Sequence, residues 1–177
     1  TNVVTIVPLD LGQATKYITY IESNKKSYNV KCKLGVFSEC GDFESEPIEF
    51  DEEKSIIHNL QEQTIKDTLA KFIGHYSQVP PMFSSTKYNG KPLYTYARKN
   101  IEIDREPKNR QIYKIKFISL KSNILEFSVV CSSGTYIRTL VQDISKKWDL
   151  HSCLYSLHRS NVEPFEDFDN VTLENLT

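Results

Sequence analysis

The stretch CSSGTYIRTL, Cys131 to Leu140, runs from a small-residue turn into an apolar helical run, with Arg138 near the helix start. Unpaired backbone N–H groups and aligned peptide dipoles make that end of a helix positive, so an arginine there calls for an anion facing it. A second candidate is Tyr28, at the head of SYNVKCKLG, whose ring could face either the core or a cleft. A third is the segment from Lys87 to Arg110. It holds seven basic residues (Lys87, Lys91, Arg98, Lys99, Arg105, Lys108, Arg110) against Glu102, Asp104 and Glu106, with Tyr88, Tyr94 and Tyr96 interleaved. Lysine and arginine neutralise phosphates and tyrosines stack on bases or sugars, so this composition suits a nucleic-acid backbone. Metal chemistry has no such support. The four cysteines show no C-x-x-C spacing, the four histidines no ligand spacing, and the closeness of Cys153 to His151 is more often structural than catalytic.

Elements must position these residues. Tyr28, Val30, Cys32 and Leu34 alternate with polar residues, the period of a half-buried strand. In TIKDTLAKFIG the spacing predicts a short amphipathic helix with Thr64 as cap, Asp67 three residues on, a stripe of Ile65, Leu69, Phe72 and Ile73, and Gly74 as the stop. The stretch from Ser77 to Asn100 has two adjacent prolines and no consistent period, so an irregular exposed excursion is expected. QIYKIKFIS and ILEFSVVC read as a hairpin joined through Lys121, Ser122 and Asn123. The next helix carries Ile137, Leu140, Val141, Ile144 and Trp148 as a core stripe, with Arg138 one step off it.

The bulk numbers agree with a folded domain. At 177 residues, 39% hydrophobic and 25% charged, the chain can bury a sizeable core, alone or with a small appendage. No apolar run approaches the ~20 residues of a spanning helix and no signal peptide is evident, so a reducing cytoplasm is expected. The net charge of −1 hides an acidic stretch, Glu39 to Glu62, with nine acids against Lys54; it is expected to be solvated or to loop outward.

Three segments in order resemble the bacterial tRNA pseudouridine synthases of the TruB type. They are PLDLGQATKYITYI with KSYNVKCKLG; QVPPMFSSTKYNGKPLYTYARKNIEIDREPKNRQIYKI; and CSSGTYIRTLVQDI with SLHRSNVEPF. The resemblance implies an α+β fold, a mixed but mainly antiparallel sheet with flanking helices. It implies that residues 1–177 are a partial catalytic domain, with an RNA-gripping insertion at about 78–106 and without the family's C-terminal RNA-binding PUA domain. The implied activity is isomerisation of a T-arm uridine in tRNA by base flipping, with no cofactor or metal. The partner would be the T-arm stem-loop, no membrane is involved, and a monomer is expected. By position, Arg138 matches the arginine that pairs with the family's nucleophilic aspartate, and Tyr28 the tyrosine that stacks on the base and is implicated in removing the C5 proton. Tyr136 and Leu157 match pocket-lining residues, and Lys16 matches a position near the substrate backbone. Lys87, Tyr88, Lys91, Tyr94, Tyr96, Arg98 and Arg159 complete the expected RNA contacts.

The departures from the family pattern matter equally. The LGQATK register puts the nucleophilic aspartate one residue before Thr1, and Asp10 well past it. Thr5 stands where the family usually has glycine. The family's T-D-T-x-D-x-x-G pattern reads SECGDFES here, retaining Asp42. Without its upstream aspartate, Arg138 is expected to face a solvent-filled cleft or an anion, and a plain surface pairing would join it to an acid such as Asp143. The alternatives to an enzyme are a non-catalytic RNA-binding or RNA-folding protein that keeps the same grip, and a structural domain of a larger assembly.

Overall fold

The computed structural model describes residues 2–5 and 25–162. Among the described residues, ten strands and four α-helices follow one another as β1 (Asn2–Thr5), β2 (Lys25–Leu34), β3 (Val36–Phe37), β4 (Ile48–Glu49), α1 (Lys54–Asn59), α2 (Glu62–Ala70), β5 (Gly74–Gln78), β6 (Lys87–Tyr88), β7 (Lys91–Pro92), α3 (Leu93–Ala97), β8 (Lys108–Lys121), β9 (Ile124–Ser132), α4 (Ile137–Ser145) and β10 (Ser152–Val162). Six of the strands form the main sheet, in the order β1-β10-β2-β9-β8-β5. Every pairing in it is antiparallel except β1 with β10. The fold is therefore α+β with a mainly antiparallel sheet, as the motifs imply.

Alternation makes the sheet two-faced. Along β9, Leu125, Phe127, Val129 and Cys131 are buried while the residues between them are half-exposed. Across the register Val30 faces Phe127 and Cys32 faces Leu125, so one apolar face continues from strand to strand. Helices α2 and α4 cover that face, with Ile65 and Leu69 from one and Ile137, Leu140, Val141 and Ile144 from the other. Trp148 closes the packing from a 3-10 turn after α4 and donates its indole N–H to Thr68 Oγ1 at 3.0 Å, tying the two helices together. The β8–β9 hairpin turns at Ser122 and Asn123 as expected, with Ser122 in the left-handed region.

Three local expectations need correction. Helix α2 starts at Glu62, two residues before Thr64, and no side chain caps it. Asp67 instead accepts from Gln63 Nε2 one turn back, and Gly74 opens β5 rather than stopping the helix. The excursion after Gln78 is more ordered than its sequence suggests: β6 and β7 form a two-stranded ribbon, and α3 buries Leu93 and Ala97. The acidic stretch is mostly exposed, yet Asp42 and Glu53 within it are buried. Among the described residues, no helix is long and apolar enough to cross a membrane.

Candidate active site

Helix α4 begins without a side-chain cap, and a residue from another strand supplies the missing partner. Gln78, 1% exposed, accepts from the Tyr136 N–H through Oε1 at 2.9 Å and donates to the Tyr136 carbonyl through Nε2 at 3.0 Å. A two-point clamp of this kind satisfies backbone groups that would otherwise be orphaned and fixes the helix start. Ile137 and Leu140 point into the core, which leaves Arg138 at the border.

The guanidinium of Arg138 is not waiting in solvent. Nη1 donates to the Cys40 carbonyl at 2.8 Å and lies 3.2 Å from Asp42 Oδ2, while Nη2 donates to the Phe83 carbonyl at 2.8 Å. The guanidinium does line a cleft, as expected, but the anion it meets there is an internal one rather than an ion from solution. The anion is Asp42, whose side chain is 10% exposed against 24% for Arg138. Asp143 is engaged elsewhere, taking the Tyr76 hydroxyl and Lys146. Arg138 thus joins three segments distant in sequence: α4, the loop between β3 and β4, and the excursion after β5.

That loop is fixed by its own small polar residues. Asp42 Oδ1 accepts from the Cys40 thiol at 3.0 Å and from the Glu44 N–H at 3.0 Å. Ser38 Oγ donates to the Asp42 carbonyl at 2.6 Å and sits 2.8 Å from Cys153 Sγ. Gly41 has φ +80°, and a Cβ there would lie 3.1 Å from Gln142 Nε2 and 3.5 Å from Arg138 Cβ, so any other residue would be strained where the loop closes on α4. The Gly41 carbonyl takes the Leu154 N–H at 2.9 Å, pinning the loop on β10.

Tyr28, Tyr136, Arg138 and Leu157, drawn from four places in the sequence, line one cleft together with Asp42, Glu44, Thr135, Ile137 and Leu154. Its volume of about 310 Å³ lies at the small end of ligand pockets. Tyr28 is half-buried against the core. Burial is the main cause that pushes its phenol above the ordinary value of 10.0, the nearby Cys131 adds to this, and a hydrogen bond from Arg159 opposes it. Arg159 stands directly opposite Tyr28 across β10 and β2, so it belongs beside the cleft. Tyr136 extends the wall, its hydroxyl 2.9 Å from Thr86 Oγ1 of the excursion.

Lys87, Tyr88, Lys91, Tyr94 and Arg98 are exposed together on the β6–β7 ribbon and α3, and Tyr96 is half-buried. The Tyr88 and Tyr96 rings meet edge to face at 6.0 Å, and Arg98 lies over the Tyr94 ring at 5.3 Å. Arg105 anchors the base of the excursion by donating to the Pro80 and Ile103 carbonyls. Lys16 and Asp10 lie outside the described residues. Among the described residues, no three His, Cys, Asp or Glu side chains are grouped to hold a metal ion. Sequence reasoning missed Gln78 and the pairing of Asp42 with Arg138; SECGDFES preserved Asp42 but carried no sign of its partner.

Comparison with known proteins gives a consistent result. Residues 2–137 match the model of the TruB family pseudouridylate synthase N-terminal domain. The chain is 39% identical over 173 residues to tRNA pseudouridine synthase B of Clostridium perfringens (strain SM101 / Type A), covering 97% of this chain and 58% of the relative. It is 38% identical to the Cronobacter sakazakii protein of the same name, covering 97% and 53%. It therefore spans little more than half the length of these curated relatives. Among solved structures, a crystal structure of a Cbf5-Nop10-Gar1 complex superposes with a TM-score of 0.66 at 21% identity, over 94% of this chain and 39% of that one, a likeness of fold.

Proposed function

Since the chain belongs to the TruB family of pseudouridylate synthases, we propose that it is the catalytic-domain portion of a tRNA pseudouridine synthase acting on a T-arm uridine. The observation that carries this reading is the convergence of Tyr28, Tyr136, Arg138 and Leu157 on one cleft, beside an exposed basic and aromatic excursion. The target base, extruded from its stack, lies on the Tyr28 ring between Tyr136 and Leu157. The nucleophile is an aspartate contributed by the segment preceding Thr1. Glycosidic cleavage, rotation of the base and rejoining through C5 then proceed within the cleft.

Asp42 is a positioning residue in this scheme. Both of its oxygens are committed, Oδ1 to a thiol and an N–H and Oδ2 to Arg138, so it suits holding the guanidinium better than attacking a sugar. The excursion grips RNA by phosphate neutralisation and stacking. Protein groups carry every step, and the activity is cytoplasmic.

The test is to incubate the full-length protein with a T-arm stem-loop in EDTA and assay for pseudouridine. Product is expected. RNA binding without product would favour the RNA-binding or RNA-folding alternative, and activity that returns only with added metal would overturn the absence of a cofactor.

A further inference from the structure

Strands β2, β8, β9 and β10 share one end of the sheet, where β2 and β8 begin and β9 and β10 finish. The register puts Lys26 opposite Cys131, Cys131 opposite Ile112, and Arg159 opposite Tyr28. Arg110 lies two residues before Ile112 and opposite the buried Tyr76. By the alternation of strands, Lys26, Tyr28, Arg110 and Arg159 all belong to the helix-covered face, at the end where the cover stops. Of these cations Arg159 is the one that meets the phenol of the cleft.

Arg110 is the unusual one. It is half-buried, its Nε is fully enclosed, and no hydrogen bond or ion pair reaches that atom among the described residues. A guanidinium stays protonated at any ordinary pH, so burying part of it unpaired costs free energy, and an anion at its other two nitrogens would offset that cost by charge attraction. Its position is fixed by Gly134. A Cβ on Gly134 would lie 3.2 Å from the guanidinium carbon and from Nη2, so the planar group occupies the space a side chain would fill. The next residues, Thr135 to Arg138, line the cleft. Lys26, on the same face two strands away, has its pKa lowered below the ordinary lysine value chiefly by burial and then by Arg159.

We propose that Arg110 binds a backbone phosphate of the RNA at the mouth of the cleft. The planar fork suits two phosphate oxygens, and the glycine turn presents it close to the base pocket. A strand leaving the pocket would then cross the end of the sheet, on a contact separate from the excursion. This inference rests on the RNA-binding part of the proposed function.

The test measures affinity against salt for the full-length protein, with a T-arm stem-loop and an unrelated hairpin RNA. Arg110→Gln should raise Kd severalfold for both RNAs and reduce the slope of log affinity against log salt by about 0.7–0.9, the value for one lost phosphate contact. Arg110→Lys should keep the slope and weaken binding less. Lys121→Gln, at the far end of the hairpin, should change neither. An unchanged slope and Kd in Arg110→Gln, with only the melting temperature lowered, would overturn the contact and leave Arg110 as packing against Gly134. Should that variant not fold, Arg110→Lys decides alone: unaltered affinity overturns the proposal. Pseudouridine formation with an unaltered slope would sink this inference and spare the proposed function. A lowered slope without pseudouridine would do the reverse, and no RNA affinity in the wild type would overturn both.

Discussion

Arg138 Nη1 lies 3.2 Å from Asp42 Oδ2 although 96 positions separate the two residues, and the same nitrogen donates to the carbonyl of Cys40 in the Asp42 loop. The loop, the helix and the excursion meet at this guanidinium, so the ion pair helps set the wall of the cleft as well as its charge. Asp42→Asn keeps the shape and removes the charge. A partly buried Arg138 then loses its counter-ion, at a stability cost of about 1–3 kcal/mol. The kcat for pseudouridine formation should fall more than tenfold while KM for the stem-loop changes little. A variant with reduced stability and wild-type kcat would show that the pair is structural only.

Arg138→Lys tests the fork itself. A lysine ammonium could satisfy one of the three acceptors that the guanidinium reaches, the Cys40 and Phe83 carbonyls and Asp42. Turnover should drop sharply and RNA affinity should hold, since the phosphate contacts proposed above do not include Arg138. Parallel loss of binding and turnover would mean that Arg138 organises the excursion rather than the chemistry.

The excursion gives a third expectation. Lys87, Lys91 and Arg98 are exposed, and none has a carboxylate partner among the described residues. Changing all three to alanine should flatten the salt dependence of RNA binding by roughly 2 in slope, given about 0.7–0.9 per lost phosphate contact. Thermal stability should barely move, because α3 is anchored by Leu93 and Ala97. A slope equal to the wild type would make the segment an ordinary solvated face.

What the sequence made legible follows from how local each signal is. The alternation in β2 and β9, the turn at Ser122 and the stripe of α4 are short-range patterns, and they appear where their periods predict. Tyr28, Tyr136, Arg138 and Leu157 were reachable because they sit in recognisable motifs. Gln78 and Asp42 were not, since each acts through a contact 58 or 96 positions away that no local pattern encodes. The start of α2 was misplaced for the converse reason. Thr64 looks like a cap, but the chain is already helical from Glu62 and Thr64 gives its carbonyl to the Thr68 hydroxyl.

Alkali should destabilise the fold. Burial pushes the Cys32 thiol up to about 12 and Cys131 up to about 11, and raises Cys153, against an ordinary 9.0. A raised folded pKa means that the native state keeps a proton the unfolded chain gives up. This stabilisation is intact below the unfolded value and is lost as pH rises through the folded one. The melting temperature should be level between about pH 7 and 8.5 and decline above pH 9. Cys32→Ala should melt lower at neutral pH through lost packing, with a shallower alkaline decline. A melting temperature independent of pH up to 10.5 would show that the thiols do not govern this limit.

Tyr28 joins structure to chemistry most directly. Burial raises its phenol above 10.0, so at neutral pH it is protonated and cannot serve as a base by simple prior ionisation. Its hydrogen bond with Arg159 acts in the opposite sense and favours negative charge on the oxygen. Tyr28→Phe separates stacking from proton transfer: the ring remains and the hydroxyl is gone. RNA affinity should stay within about twofold, and turnover should fall by about 10²–10⁴, the usual contribution of a positioned acid or base. The residual rate should not recover with rising pH, whereas Tyr28→Leu should lose affinity as well because the stacking face is gone. Wild-type turnover in Tyr28→Phe would assign the C5 proton to another group and leave Tyr28 as a platform for the base.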